Sequence, residues 1–363
     1  MRLDSIRIKH FRNHRNLEFE PGPAITVIHG RNGTGKTSIL EAVHYCAMTR
    51  GLAGSTDREC LAFGFDQFLI NGCFTSDHGT RTEVKVAFTP EKEKQIFVNE
   101  QEITSFSRHI GTIPCITFTP QELSIVTGSP AERRKFIDTA ICQYDRRYLS
   151  DLIQYRRILQ QRNALLAHPG IHQQLAGLEI WTEQLATHAA AIISARKEFL
   201  SKYLGYFMGF FERITGSVSG NYSYYCSLGE TEESGCIDSI KERFLQRYTE
   251  LRAQEIQRKL TLAGPHRDDL RLFADGMEVR KYSSQGQQRS YLITMKLALR
   301  QFLQEMNGEP PLTLLDDLFS ELDEQTAQQV LETLADCGQV LVTSTHEKKG
   351  MDTIACSITT LTG

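Results

Sequence analysis

Nine consecutive residues, Gly30-Arg31-Asn32-Gly33-Thr34-Gly35-Lys36-Thr37-Ser38, constrain this chain more than any other part of it. They match G-x4-G-K-[ST], follow the run Ile25-Thr26-Val27-Ile28 directly, and open a helical pattern from Thr37 to about Thr49. That strand, loop and helix order is the context the pattern requires. The strand is apolar on both faces, as in the buried centre of a parallel sheet. The glycines let the backbone curl until successive N–H groups face one anion, and the helix N-terminus adds its positive end. The loop therefore reads as a cradle for a nucleoside triphosphate, ATP, with Lys36 reaching the β and γ phosphates and the Thr37 hydroxyl on Mg²⁺.

The second half of such a site lies far downstream. Leu312-Thr313-Leu314-Leu315 is a buried strand ending in Asp316-Asp317, which puts one carboxylate, Asp316, on the metal and the other, Asp317, beside the attacking water. Between the halves, Ser283-Ser284-Gln285-Gly286-Gln287-Gln288-Arg289 opens a helix carrying Leu292, Met295, Leu299 and Leu303, and locally it reads as a helix cap.

The rest of the 363 residues divides into three segments. Residues 1–125 read as strands with one helix, including a first strand through Leu3, Ile6 and Ile8 and an antiparallel meander over 67–74, 82–88 and 95–101. Residues 126–258 turn helical and basic. Leu149, Leu152, Leu159 and Leu166 are followed by a break at His168-Pro169-Gly170, then by Leu178, Trp181, Leu185, His188, Ile192, Ala195 and Phe199 at the same spacing. Facing stripes across a tight break predict an antiparallel hairpin, a short coiled-coil arm whose first helix of some 35 residues would reach roughly 50 Å. Residues 259–363 return to strands and helices, so the sheet begun at the N-terminus is expected to be completed by the C-terminus with the arm inserted. The expected fold is α/β.

Nine cysteines, none closer than the step from Cys226 to Cys236, form no CxxC-type pair and read as buried thiols. No run of about 18 apolar residues predicts a membrane span, and the N-terminus lacks the apolar core of a secretory signal, which points to the cytoplasm.

Several features together resemble the ABC-type ATPases. Ser284, Gly286 and Gln287 occupy that family's signature positions, with Gln285 in place of the first glycine. Gln121, after the strand Cys115 to Phe118, resembles the Q-loop residue, with Glu122 competing for the role. Ser320 and Asp323 fall on the D-loop, and His346 on the switch histidine. The resemblance implies that the signature caps the γ-phosphate of another subunit, hence an ATP-dependent homodimer. Asp317 stands where those ATPases usually carry Glu. It is one methylene shorter and would hold the water less well, so hydrolysis should be slow and the cycle that of a switch.

Ile6-Arg7-Ile8-Lys9-His10-Phe11-Arg12-Asn13 and Thr37 to Ala42 look like the SMC-type branch, but about 250 residues between Lys36 and Ser284 leave no room for its long tether. Gly128-Ser129-Pro130-Ala131-Glu132-Arg133-Arg134-Lys135-Phe136-Ile137-Asp138, Gly264-Pro265-His266-Arg267-Asp268-Asp269-Leu270 and the signature form S-Q-G-Q-Q-R make the match specific. The sequence resembles the RecF family of bacterial recombination proteins along essentially its whole length. The expectation is an ABC/SMC-type P-loop ATPase head, with mixed sheet and meander, and an inserted helical arm. Implied with it are a nucleoid-associated, DNA-binding ATPase of replication-linked repair, RecO and RecR as partners, the placing of RecA at gaps beside a duplex, and a part in the SOS response. The alternative, an ATPase subunit serving a membrane transporter, fits poorly with a basic helical insertion.

A formal net charge of −3 argues against nucleic acid only if charge is evenly spread. It is not. Residues 1–15 carry five Arg/Lys against one Asp, residues 131–170 eight against four, and residues 300–363 three against eleven. Arg133, Arg134, Lys135, Arg146, Arg147, Arg156, Arg157 and Arg162 are the candidate phosphate contacts. No base-reading motif is visible, so binding should follow shape and backbone.

Overall fold

A computed structural model of the chain describes residues 1–52, 54–171, 175–216, 219–229, 236–317, 322, 324–335, 338–345 and 356–361. In chain order these form β1 (Arg2–Phe11), β2 (His14–Phe19), β3 (Ile25–His29), α1 (Lys36–Met48), β4 (Phe68–Thr75), β5 (Arg81–Thr89), β6 (Glu93–Val98), β7 (Gln101–Glu102) and β8 (Cys115–Phe118). There follow α2 (Ser124–Thr127), α3 (Pro130–Cys142), α4 (Arg146–Ala167), α5 (Leu175–Thr215), β9 (Gly220–Tyr225), α6 (Ile237–Arg258), β10 (Asp269–Ala274), β11 (Met277–Glu278) and α7 (Val279–Tyr282). The chain ends with α8 (Gln285–Asn307), β12 (Leu312–Leu315), α9 (Glu324–Ala335), β13 (Val340–Ser344) and β14 (Cys356–Thr360). Two compact units result. The first holds Met1–Leu123, Gly209–Ser217 and Ser284–Gly363; the second holds Ser124–Met208 and Val218–Ser283.

In the first unit the parallel and antiparallel strands separate into two sheets. One is antiparallel, in the order β2-β1-β4-β5-β6-β7; the other is parallel, in the order β14-β3-β13-β12-β8. Helix α1 packs on both, touching β1, β4 and β5 of one sheet and β8 and β13 of the other. This explains a helix with almost no polar face, buried from Ser38 to Met48. Its polar exceptions are satisfied: Glu41 accepts two bonds from Arg12, and His44 Nδ1 lies 2.8 Å from the Arg50 carbonyl. The buried Gln339 amide stitches the sheets together. It accepts from Leu3 N at 2.7 Å and donates to the Leu3 and Gly22 carbonyls at 3.0 and 2.7 Å, much as another strand would.

The second unit is built on α4, α5 and α6. Arg162 bonds Thr182, Asp151 meets His188 and Tyr148 meets Arg196, so α5 runs antiparallel to α4; the pairs Glu183–Lys241 and Glu179–Arg252 run α6 antiparallel to α5. Helix α4 ends at the expected break, with His168 as its C-cap. It has 22 residues, about 33 Å rather than the 50 Å read from the sequence, because it starts only at the Asp145 cap, whose Oδ1 accepts from Arg147 N and Tyr148 N.

Asn221-Tyr222-Ser223-Tyr224-Tyr225 alternates and forms β9, a strand inside the segment read as helical. It pairs with β10, which pairs with β11. The hairpin at Ala274-Asp275-Gly276 is therefore held by the second unit, whose boundary falls at Ser283 rather than after residue 258. Among the described residues no helix is long and apolar enough to cross a membrane.

Candidate nucleotide site and basic face

The phosphate loop spans the end of β3 and the start of α1. Gly33 and Gly35 adopt left-handed φ values of 85° and 90°, and a Cβ on Gly35 would stand 2.5 Å from His14 Nε2. Both conformation and space demand glycine there. The β1–β2 turn grips the loop: Asn13 Nδ2 donates to the Gly33 carbonyl at 2.7 Å, and His14 Nε2 lies 2.9 Å from the Gly35 carbonyl. The sequence reading gave Asn13 and His14 no such part, because it placed no strand between β1 and β3 and so no turn at Arg12-Asn13. Arg12, in the same turn and left-handed at φ 53°, is kept charged first by its hydrogen bond to Glu41, against the cost of its partial burial.

Lys36 Nζ donates to the Gly30 and Arg31 carbonyls at 2.8 and 2.9 Å, holding its charge over the loop that would take the phosphates. Thr34 Oγ1 donates to the Arg31 carbonyl at 2.9 Å, and Arg31 and Asn32 are exposed. Ser38 is buried in the first turn of α1.

The two halves of the site meet directly. Thr37 Oγ1 donates to Asp316 Oδ1 at 2.7 Å, and Thr343 Oγ1 donates to the same oxygen at 2.9 Å. Asp317 N donates to Thr343 Oγ1 at 2.9 Å. Thr343, on the neighbouring strand, thus holds the Asp316 carboxylate and the Asp317 backbone; its signal was one hydroxyl in the apolar run Val340-Leu341-Val342-Thr343. Two oxygens on Mg²⁺ at about 2.1 Å and a right angle stand roughly 3 Å apart. The Thr37–Asp316 pair needs little adjustment to serve as such ligands. Asp317 is left-handed at φ 48°, a strained conformation that takes its backbone out of the strand immediately after Asp316.

Gln121 and Glu122 have different surroundings. Glu122 Oε1 accepts from Thr117 Oγ1 at 3.0 Å and from Lys296 Nζ at 2.5 Å, and Oε2 accepts from Thr119 N at 3.0 Å. Gln121 is exposed beside it. Thr119, Pro120 and Leu123 line a pocket with Ile293, Asp316 and Asp317. This places the turn after β8 next to the paired carboxylates.

Ser284 caps α8 in a capping box. Its Oγ accepts from Gln287 N at 3.3 Å, and Gln287 Oε1 accepts from Ser284 N at 2.8 Å. Ser284, Gln285, Gly286 and Gln287 are all exposed. The serine hydroxyl accepts in the cap and retains its proton to donate to an incoming anion. Ser320, Asp323 and His346 lie outside the described residues.

The basic candidates divide sharply. Arg133 is buried and bidentate to Asp269 at 2.8 and 3.0 Å, with a third bond to the Gly128 carbonyl. Arg162 is buried against Glu255 at 2.6 Å, Thr261 and Thr182, over the Tyr248 ring. Both are internal ion pairs and not phosphate contacts, a correction to the sequence reading. Arg134 is half-buried on the Asp268 carbonyl at 2.7 Å, and burial lowers its pKa. Lys135, Arg146, Arg147, Arg156 and Arg157 are exposed, Arg156 with Asp138 at 3.6 Å.

Residues 5–262 match the family model of an AAA domain. The chain is 54% identical over 351 residues to the DNA replication and repair protein RecF of Chlorobaculum tepidum, covering 96% of this chain and 95% of that protein. It is 44% identical over 367 residues to RecF of Chlorobium luteolum, covering 100% and 99%. A solved structure of the recombination mediator protein RecF–ATPrS in the RecFOR pathway superposes with a TM-score of 0.90 at 30% identity, covering 99% of this chain and 96% of that one. The Smc head domain derived from Pyrococcus furiosus, bound to the C-terminal domain of ScpA, shares the fold at a TM-score of 0.57 and 14% identity, covering 97% and 91%. The chain belongs to the RecF family of DNA replication and repair proteins.

Proposed function

We propose that this chain is an ATP-operated switch that grips duplex DNA beside gaps and, with RecO- and RecR-type partners, helps to load RecA. The observation that carries the nucleotide half is the Thr37–Asp316–Thr343 cluster, which brings loop and strand end together across 279 residues of sequence. In this reading the loop from Gly30 to Ser38 holds the ATP phosphates, Thr37 and Asp316 hold Mg²⁺, Asp317 orients the water and Gln121 monitors it. The exposed Ser284, Gly286 and Gln287 would cap the γ-phosphate of a second copy, with Ser320, Asp323 and His346 completing the shared site. The short Asp317 makes the ATPase weak, which suits a timed clamp. A solved relative, the recombination mediator protein RecF–ATP in the RecFOR pathway, supports ATP as the ligand, and the pathway it is assigned to supports RecO- and RecR-type partners.

Lys135, Arg146, Arg147, Arg156 and Arg157 supply the DNA half through phosphate contacts, without base reading. The test is binding to gapped, duplex and single-stranded DNA, with and without ATP and Mg²⁺, across salt. Affinity should rise with ATP and fall steeply with salt. Binding indifferent to ATP would remove the switch, and a flat salt response would remove the basic face. Ser284→Arg should leave nucleotide binding intact and abolish association measured by light scattering.

A further inference from the structure

We infer that the segment from Gly264 to Asp269 is a socket that fixes the register of α4, so that Tyr155 and His266 are positioning residues for the arginines that face DNA. This rests on the proposal that Arg146, Arg147, Arg156 and Arg157 contact phosphates.

Three polar side chains repeat along the inner side of α4 at seven-residue steps: Tyr148, Tyr155 and Arg162, all buried. Seven residues are close to two helical turns, so the three form one stripe. Tyr155 and Arg162 end on the socket or its flank, and Tyr148 reaches it through Arg196. Tyr155 OH bonds His266 Nδ1 at 2.5 Å. Arg162 donates to Thr261 Oγ1 at 2.8 Å. Tyr148 OH donates to Asp138 at 2.5 Å and receives a bond from Arg196, which itself donates to the Pro265 carbonyl at 2.9 Å.

The socket is rigid for its own reasons. Gly264 has φ 133°, and a Cβ there would meet the Tyr155 hydroxyl at 2.3 Å. Asp268 accepts from Ser227 N at 2.8 Å and from Tyr224 OH at 2.5 Å. His266 Nε2 lies 3.3 Å from the Thr261 carbonyl. That tautomer leaves Nδ1 as an acceptor for Tyr155, and burial first of all keeps the ring neutral by lowering its pKa to about 4.

Apolar stripes tolerate sliding, whereas buried polar partners with fixed directions do not; their best-attested use is to set register. A shift of α4 by one residue would turn its outer face by about 100° and carry Arg146, Arg147, Arg156 and Arg157, all on that one helix, together away from the direction they now face.

The experiment measures log Kd for duplex DNA against log salt for the full chain with ATP and Mg²⁺. The variants are Tyr155→Phe, His266→Leu, His266→Asn and the double Arg156→Gln, Arg157→Gln. Tyr155→Phe keeps the shape of the ring, and His266→Asn keeps an acceptor near the Nδ1 position. The salt slope counts phosphate contacts and is not changed by a loss of folded fraction. Tyr155→Phe and His266→Leu are expected to lower the slope by about one to two and weaken low-salt binding about tenfold, with His266→Asn close to the parent. An unchanged slope in Tyr155→Phe and His266→Leu, while the double arginine variant lowers it, overturns the socket. An unchanged slope in the double arginine variant overturns the DNA face itself, and the inference with it.

Discussion

At the scale of single residues, what sequence reveals depends on how far a group's partner lies along the chain. The phosphate loop was legible because its parts are consecutive, and Gly35 needs only its own φ and a neighbouring turn to be explained. Arg133 was misread because its partner Asp269 is 136 residues away, and a cluster of charges does not announce which member points inward. Breaking a buried pair costs several kcal/mol because one charge is left unpaired. Arg133→Ala should therefore lower unfolding stability by about 3 kcal/mol, whereas the exposed Lys135→Ala should stay within about 0.5 kcal/mol. Equal urea midpoints for the two would place Arg133 back on the surface. His266 gives a pH signature. Its folded pKa, lowered by burial to about 4 from the ordinary 6.5, means that the unfolded chain takes the proton first as pH falls. Its contribution is thus complete above about pH 6.5 and declines toward pH 4, a loss of about 2 kcal/mol by pH 5. Asp268, whose pKa burial raises, acts in the opposite sense just above its ordinary range, so the comparison is with His266→Asn. Denaturation at pH 7 and pH 5 should show a smaller loss in that variant than in the parent, and equal losses would assign the titration elsewhere.

At the scale of elements, periodicity identified α1, α8, the meander and the break after α4, because each is a local pattern of apolar residues. It passed over β9, where alternating tyrosines sit in a helical neighbourhood, and it ran α4 too long because apolar spacing says nothing about the Asp145 cap. Sequence also left Gln121 and Glu122 undivided. The contacts separate them. Glu122 ties the turn after β8 to α8 through Lys296, whose side chain is 6% exposed against 24% for the carboxylate. Hydrogen bonds to charged groups contribute about 1.5–3 kcal/mol when partly buried. Lys296→Met should lower stability by about 2 kcal/mol. Gln121→Ala should leave the melting midpoint unchanged and slow ATP turnover. If Gln121→Ala instead destabilised the fold while leaving turnover intact, the two adjacent side chains would have exchanged roles.

At the scale of the whole molecule, the near-neutral total conceals an internal division that sequence counting found but overestimated. Of the eight basic residues between 131 and 170, Arg133 and Arg162 are spent inside the second unit, so fewer remain for phosphate. A weakened basic face makes the doubling of that face by association more important, and on the proposed switch the length of association would be set by hydrolysis. In that proposal the determinant would be Asp317, whose backbone is fixed by Thr343 while its φ of 48° is one that Asn tolerates well. Asp317→Asn should keep the fold, nucleotide binding and ATP-dependent association, while losing about tenfold or more in single-turnover hydrolysis. Release from DNA should slow in the same proportion if the proposed clamp opens on loss of the γ-phosphate. Measuring hydrolysis and dissociation from labelled duplex on the same sample checks this. Parallel slowing ties release to hydrolysis, whereas slow hydrolysis with unchanged release would mean that the grip on DNA is timed by something other than the ATP site.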